Sequence, residues 1–139
     1  MFPYIEQSHR ASSTQKTYIG NSLGGLFGAT ILFTTPDLFS NYIIGSPSVW
    51  FNDNALLALK VNKLKLPIKV CISVGARETP AFGEGQNMVQ GAQQLVQKIK
   101  ALNSDSIELK SVVIEGASHA TAFPTTAIQG LDWVLGKAN

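Results

Sequence analysis

The stretch TYIGNSLGG, residues 17–25, decides how this chain is expected to fold. Its first four residues are typical of a buried β-strand, and the apolar run that follows is typical of a helix up to Thr34. The strand ends in the pattern Gly20-x-Ser22-x-Gly24. Side chains two positions either side of the serine would collide in a sharp strand-to-helix turn, so glycine is expected there. The pattern therefore predicts a nucleophile elbow, a strained turn that presents Ser22 as an attacking group.

Strand and helix signals alternate along the rest of the chain. Further strands are predicted at residues 42–45, 67–74 and 107–115. Helices are predicted at residues 23–34, from Asn52 or Asp53 as a cap to about Lys63, and from about Glu84 to Asn103. A last helix is predicted to begin near Pro124, with an apolar set on its buried side: Ile128, Leu131, Val134 and Leu135. This alternation predicts one α/β domain over residues 1–139, a three-layer sandwich with a mainly parallel sheet of about four strands.

Composition narrows the function classes. Hydrophobic residues make up 45% of the 139 residues and charged residues 14%, with a net charge of +2. The basic residues are scattered, so we expect no nucleic-acid partner. The single cysteine, Cys71, excludes an intrachain disulfide and a cysteine-based metal cluster, and no metal or cofactor is expected. We expect neither a membrane span nor a signal peptide, which favours a cytoplasmic location for the chain as encoded.

A serine nucleophile needs a base, and the chain has two histidines. His9 lies in a polar N-terminal stretch, whereas His119 lies in the loop just after the last predicted strand. Ligands bind beyond the carboxyl ends of parallel strands, so His119 is expected near Ser22 as its general base.

A carboxylate should hold the imidazole of His119 in the correct tautomer. Glu78, after the third strand, is the first choice, with a surface salt bridge as its other interpretation. Asp53 fits a helix cap equally well, and Glu115 is too close to His119 in sequence to fold back comfortably. A serine–histidine pair without any acid also remains open.

Further site residues are predicted from their positions near the carboxyl ends of the strands. The backbone amide of Leu23, at the start of a helix, is expected to donate to an oxyanion. Trp50 and Phe82 are candidates for the wall of a substrate pocket, although packing in the core or a lid is the more ordinary role for aromatic side chains. Ser46 and Ser48 are predicted to be turn residues.

With these residues identified, the chain resembles the α/β-hydrolase superfamily and, more narrowly, the esterases related to enterobactin (siderophore) esterases. The resemblance rests on four blocks: residues 19–27 (IGNSLGGLF), 36–50 (PDLFSNYIIGSPSVW), 72–78 (ISVGARE) and 115–119 (EGASH). It implies Ser22 as nucleophile, His119 as base, Leu23 as an oxyanion-hole amide and Glu78 at a position that often carries an acid. Asn21 replaces the His or Tyr common before the serine.

The resemblance covers only the C-terminal half of such an esterase. Family members carry further strands and a second oxyanion donor before the elbow strand, so that strand is expected to form an exposed sheet edge here. We expect a second copy of the chain or a rearranged N-terminal segment to cover it.

Two functions are therefore expected to compete. The first is a serine ester hydrolase that acts on a small-molecule ester without a cofactor. The second is a weakly active or inactive half-domain that serves as an oligomerising or interaction module. A nucleotide-binding domain ranks third, because the glycine run has neither a P-loop lysine nor a G-x-G-x-x-G pattern.

Overall fold

A computed structural model describes residues 1–136 of the chain. Four parallel strands form one sheet, as the alternation of signals predicts, and the structure gives their order as β1-β2-β3-β4. Their bounds are Thr17–Asn21, Asn41–Gly45, Ile68–Gly75 and Ile107–Ile114. Five α-helices accompany them: α1 (Phe2–Ser8), α2 (Leu23–Thr34), α3 (Phe51–Ala58), α4 (Met88–Ala101) and α5 (His119–Leu135). Short 3₁₀ turns lie at Pro36–Leu38 and Pro80–Phe82.

Helices cover both faces of the sheet, which gives the expected three layers. Successive strand residues point to opposite faces. Tyr42 and Ile44 of β2 pack in the main hydrophobic core together with buried residues of α2 and α4. Ile43, on the opposite face, lies against α5. The central strands are buried on both sides, which explains their almost continuous apolar sequence.

The last helix differs from its prediction in both its start and its buried face. It begins at His119 rather than near Pro124, which lies inside the helix. Its buried residues are small, namely Ala122, Thr126 and Gly130, whereas Ile128 and Leu135 are exposed. A Cβ at residue 130 would lie 2.6 Å from a side-chain carbon of Ile43, so α5 approaches the sheet too closely for a large residue there.

The helix predicted from Asn52 or Asp53 to about Lys63 is also shorter, ending at Ala58. Asn52, Asp53 and Asn54 have φ of 51°, 51° and 59°, so none of them is the extended cap that the sequence suggested. Asn and Asp enter this left-handed region more readily than other non-glycine residues, which makes their presence ambiguous in a sequence. Helix α4 begins four residues later than expected, where the Asn87 side chain accepts a 3.0 Å bond from the amide of Gln90.

β1 is an edge strand of this sheet, because within residues 1–136 it pairs only with β2. Helix α1, which the sequence did not predict, packs near the beginning of β1. Glu6 forms a 2.8 Å ion pair with Lys16, and the Phe2 ring contacts that of Phe39 edge-on. Pairing of this edge with a second copy stays a prediction, which light scattering at micromolar concentration tests. In the part of the chain described, no helix has the length and apolar character needed to cross a bilayer.

Candidate active site

Ser22 occupies a strained backbone conformation between β1 and α2. Its φ of 58° and ψ of −119° are rare for a residue with a side chain. The Ser22 amide donates to the Gly45 carbonyl at 3.0 Å, and the Ser22 carbonyl accepts from the Ser48 amide at 3.1 Å. Strain of this kind persists only where the surrounding structure enforces it. The end of β2 therefore holds the serine in its turn.

Of the two glycines expected to be required around Ser22, the structure requires the one before the serine and not the one after it. A Cβ on Gly20 would lie 2.5 Å from the Gly24 carbonyl oxygen, and one on Gly25 would lie 2.6 Å from the Gly45 carbonyl oxygen. A Cβ on Gly24 would meet its nearest neighbour, the Tyr18 hydroxyl, only at 4.0 Å. The steric demand after the serine thus falls on Gly25 instead of Gly24.

The Tyr18 side chain stabilises the turn around Ser22. Its hydroxyl donates to the Gly24 carbonyl at 2.6 Å, and its ring leaves no room for a Cβ on Gly28. Burial raises the pKa of the Tyr18 phenol, so the neutral donor is the form that the fold favours.

Glu78 is fully buried, and both of its carboxylate oxygens are hydrogen-bonded. Oε1 accepts from the Gly75 amide at 2.7 Å and from the Ser46 hydroxyl at 2.6 Å, while Oε2 lies 2.6 Å from His119 Nδ1. A buried charge is tolerated only when it is paired and hydrogen-bonded in this way. The surface salt bridge considered for Glu78 in the sequence is therefore wrong.

His119 is the first residue of α5, whose start is capped by Ser118 and Thr121. The loop before it is tied to the loop of Glu78, because the Arg77 amide donates to the Ala117 carbonyl at 3.0 Å. The imidazole is about one-third exposed, with Nδ1 on the buried carboxylate. An imidazole that donates its Nδ1 proton to Glu78 keeps Nε2 unprotonated as a base.

Ser22 also lies at the carboxyl ends of the strands, but the side chain that its hydroxyl contacts is that of Ser48. Its hydroxyl oxygen lies 3.3 Å from that of Ser48, which is almost completely buried. Among residues 1–136 no hydrogen bond joins Ser22 to His119. The structure thus brings Glu78 and His119 into contact and sets Ser22 at the end of β1, while the loop after β2 contacts both Glu78, through Ser46, and Ser22, through Ser48.

The remaining predicted residues occupy varied positions. Leu23 is the first residue of α2, where an amide has no acceptor within its own helix. Asp53 and Glu115 are exposed, and the carboxylate against His119 is that of Glu78. Trp50 and Phe82 are 41% and 59% exposed, the former edge-on to Phe51 and the latter under the Arg77 guanidinium.

Sequence reasoning missed the two serines after β2. Ser46 and Ser48 were predicted only as turn residues, yet one contacts Glu78 and the other Ser22. Their position just after a parallel strand, like that of Glu78 and His119, was the available signal. In the described part of the chain, no three His, Cys, Asp or Glu side chains converge as metal ligands.

The parallel sheet and the strand–strained serine–helix turn define a protein of the α/β-hydrolase fold class. The family described as "Putative esterase" matches residues 1–126, and the chain belongs to that family.

The chain is 28% identical to the ferri-bacillibactin esterase BesA of Bacillus subtilis (strain 168), over 96% of this chain and 47% of BesA. The crystal structure of the BES protein from Bacillus cereus is 33% identical, with a TM-score of 0.81 over 95% of this chain and 49% of that one. The siderophore hydrolase EstA from Aspergillus nidulans, 21% identical with a TM-score of 0.73, shares the fold. The chain spans about half the length of these relatives.

Proposed function

We propose that this chain carries the catalytic residues of a serine ester hydrolase. Ser22 is the nucleophile, His119 the general base and Glu78 the acid that orients it. The observation that carries the proposal is the 2.6 Å contact between His119 Nδ1 and the buried Glu78 carboxylate, in a chain that also holds Ser22 on a strained turn after β1. Membership of an esterase family supports ester hydrolysis as the reaction class.

The chemistry follows from the roles of these groups. Nε2 of His119 accepts the Ser22 hydroxyl proton as the serine oxygen attacks the ester carbonyl carbon. The Leu23 amide donates to the oxyanion that develops, and the start of α2 adds a favourable dipole. His119 then gives its proton to the departing alcohol. Water, activated by the same imidazole, releases the acid from Ser22.

The substrate class is a small-molecule ester, and we propose a siderophore ester as the first to test. Among the relatives, BesA is named a ferri-bacillibactin esterase and an Emericella nidulans protein is named a siderophore enterobactin esterase. Trp50 and Phe82, both exposed and within four residues of Ser48 and Glu78 along the chain, are proposed to contact the substrate.

Labelling by a fluorophosphonate tests the proposal, because this reagent reacts with an activated serine. The wild-type chain should be labelled and should hydrolyse a short p-nitrophenyl ester. Ser22→Ala should lose the label and the turnover, whereas Ser13→Ala, at an exposed loop serine, should keep both. Equal labelling of wild type and Ser22→Ala would refute the proposal. A folded wild-type chain that takes no label would favour the interaction-module alternative.

A further inference from the structure

Ser46 is a buried serine whose hydroxyl faces the proposed acid. It follows β2, has no exposed surface, and donates from Oγ to Glu78 Oε1 at 2.6 Å. Its own amide donates to the Ser73 carbonyl at 2.7 Å, which fixes the backbone from which the hydroxyl projects.

The turn at residue 46 does not itself call for serine. Its φ of 39° lies in the left-handed region, which glycine adopts at least cost. A glycine would satisfy the backbone of this turn. What serine adds is a hydroxyl that reaches a buried carboxylate.

The carboxylate needs that hydroxyl if it is to keep one orientation. The Gly75 amide and the Ser46 hydroxyl both donate to Oε1, so that Oε2 is left for His119. With only the Gly75 amide on Oε1, the carboxylate could turn about its last bond and loosen the contact with the imidazole. Hydrogen bonds to a charged group are among the stronger ones in proteins.

The geometry points to Ser46 as a positioning residue that acts through Glu78 to keep the His119 proton on Nδ1 and Nε2 available for Ser22. This inference rests on the proposed function, which assigns His119 as the base. Ser46 itself touches no reacting atom.

The first measurement needs no enzymatic activity. Heteronuclear NMR of isotope-labelled histidine reports which ring nitrogen carries the proton, and the chain has only His9 and His119. In the wild type, His119 should be mainly the Nδ1–H tautomer. In Ser46→Gly, which keeps the turn and removes the hydroxyl, that fraction should fall while the His9 signals stay unchanged.

Ser73→Ala is the matched control. Ser73 is also buried, and its hydroxyl lies 2.6 Å from that of Thr126, so the variant loses an equally short bond without touching Glu78. It should keep the wild-type His119 signals. An unchanged tautomer in Ser46→Gly, or an equal change in Ser73→Ala, would overturn the inference.

Kinetics give the second measurement. Ser46→Gly should lower kcat on the order of tenfold at unchanged KM, as expected for a lost hydrogen bond to a charged group. Added to Glu78→Gln, it should cause no further loss, because its effect passes through that carboxylate. A full further loss in the double variant would count against the inference. If the wild type hydrolyses no ester, the proposed function fails, and the NMR comparison still decides the role of Ser46.

Discussion

The two halves of the candidate site are held by different means. In the acid–base half, three hydrogen bonds of 2.6–2.7 Å surround the Glu78 carboxylate and reach His119. In the nucleophile half, the Ser22 hydroxyl has one 3.3 Å contact with Ser48, while backbone bonds and glycine contacts hold its turn. Hydrogen bonds to a side-chain carboxylate fix the first half, whereas hydrogen bonds and close contacts of the backbone mainly fix the second.

Because of this difference, we expect substitutions in the two halves to affect catalytic rate and stability differently. A change in the acid–base half alters proton positions and should reduce rate with little effect on the fold. A change at the glycines of the nucleophile half forces backbone atoms apart and should reduce stability as well.

The largest expected effect comes from Glu78→Gln. An amide in place of the carboxylate favours the wrong imidazole tautomer, so kcat should fall by about 10³–10⁴-fold. Asp53→Asn, the other acid considered from the sequence, is the matched control and should keep wild-type kcat. Steady-state hydrolysis of a p-nitrophenyl ester measures both. Loss of activity in Asp53→Asn alone would reverse the assignment of the acid.

Gly20→Ala should damage the nucleophile half through its backbone. The added methyl would lie 2.5 Å from the Gly24 carbonyl oxygen, so the free energy of unfolding should fall by about 3 kcal/mol. Gly24→Ala has room and gains helix propensity, so it should change that energy by no more than about 1 kcal/mol. Urea unfolding followed by circular dichroism compares the two, and equal losses would contradict the steric argument.

Tyr18→Phe should weaken the nucleophile half more gently. Removing the 2.6 Å bond to the Gly24 carbonyl should cost about 1 kcal/mol of unfolding free energy near neutral pH.

The Tyr18 phenol also makes the stability of the wild type depend on pH, and the variant lacks this phenol. Burial raises the folded-state pKa of Tyr18 above its unfolded value of 10.0. The contribution of this pKa difference to the free energy of unfolding is fully present below the pKa of the unfolded state. It is lost as the pH rises through the pKa of the folded state. Tyr18→Phe should therefore lose less stability than wild type between about pH 9 and pH 11. Urea unfolding at several pH values tests this, and parallel curves would contradict it.

Ser48→Ala should have the smallest effect. Its 3.3 Å contact with the Ser22 hydroxyl is long, so its loss should change kcat by only about two- to fivefold. The Ser48 amide, which holds the Ser22 carbonyl, is retained in the variant. A loss as large as that of Glu78→Gln would mean that side chains also control the nucleophile half, and the contrast between the halves would disappear.

Much of the fold was predictable because its signals are local. The turn at Ser22, the apolar central strands and the parallel direction of the strands follow from sequence patterns, and the strands lie within about two residues of their predicted limits. The errors lie where local signals compete. Asn52 and Asp53 resemble a helix cap but adopt left-handed turns. Ile128 and Leu135 of α5 are exposed, and the close packing of α5 on the sheet requires Gly130 instead of a large residue.

The sequence by itself determined the chemical types at the site and their order along the chain: a serine in a glycine-flanked turn, then a carboxylate, then a histidine, each after a strand. Only the tertiary structure decided that Glu78 contacts His119, that Gly25 carries the steric demand assigned to Gly24, and that Ser46 bonds to the acid. The reason is physical. A strand-to-helix turn is encoded within a few neighbouring residues, whereas a hydrogen bond between residues 46 and 78 exists only after β2 and β3 have paired.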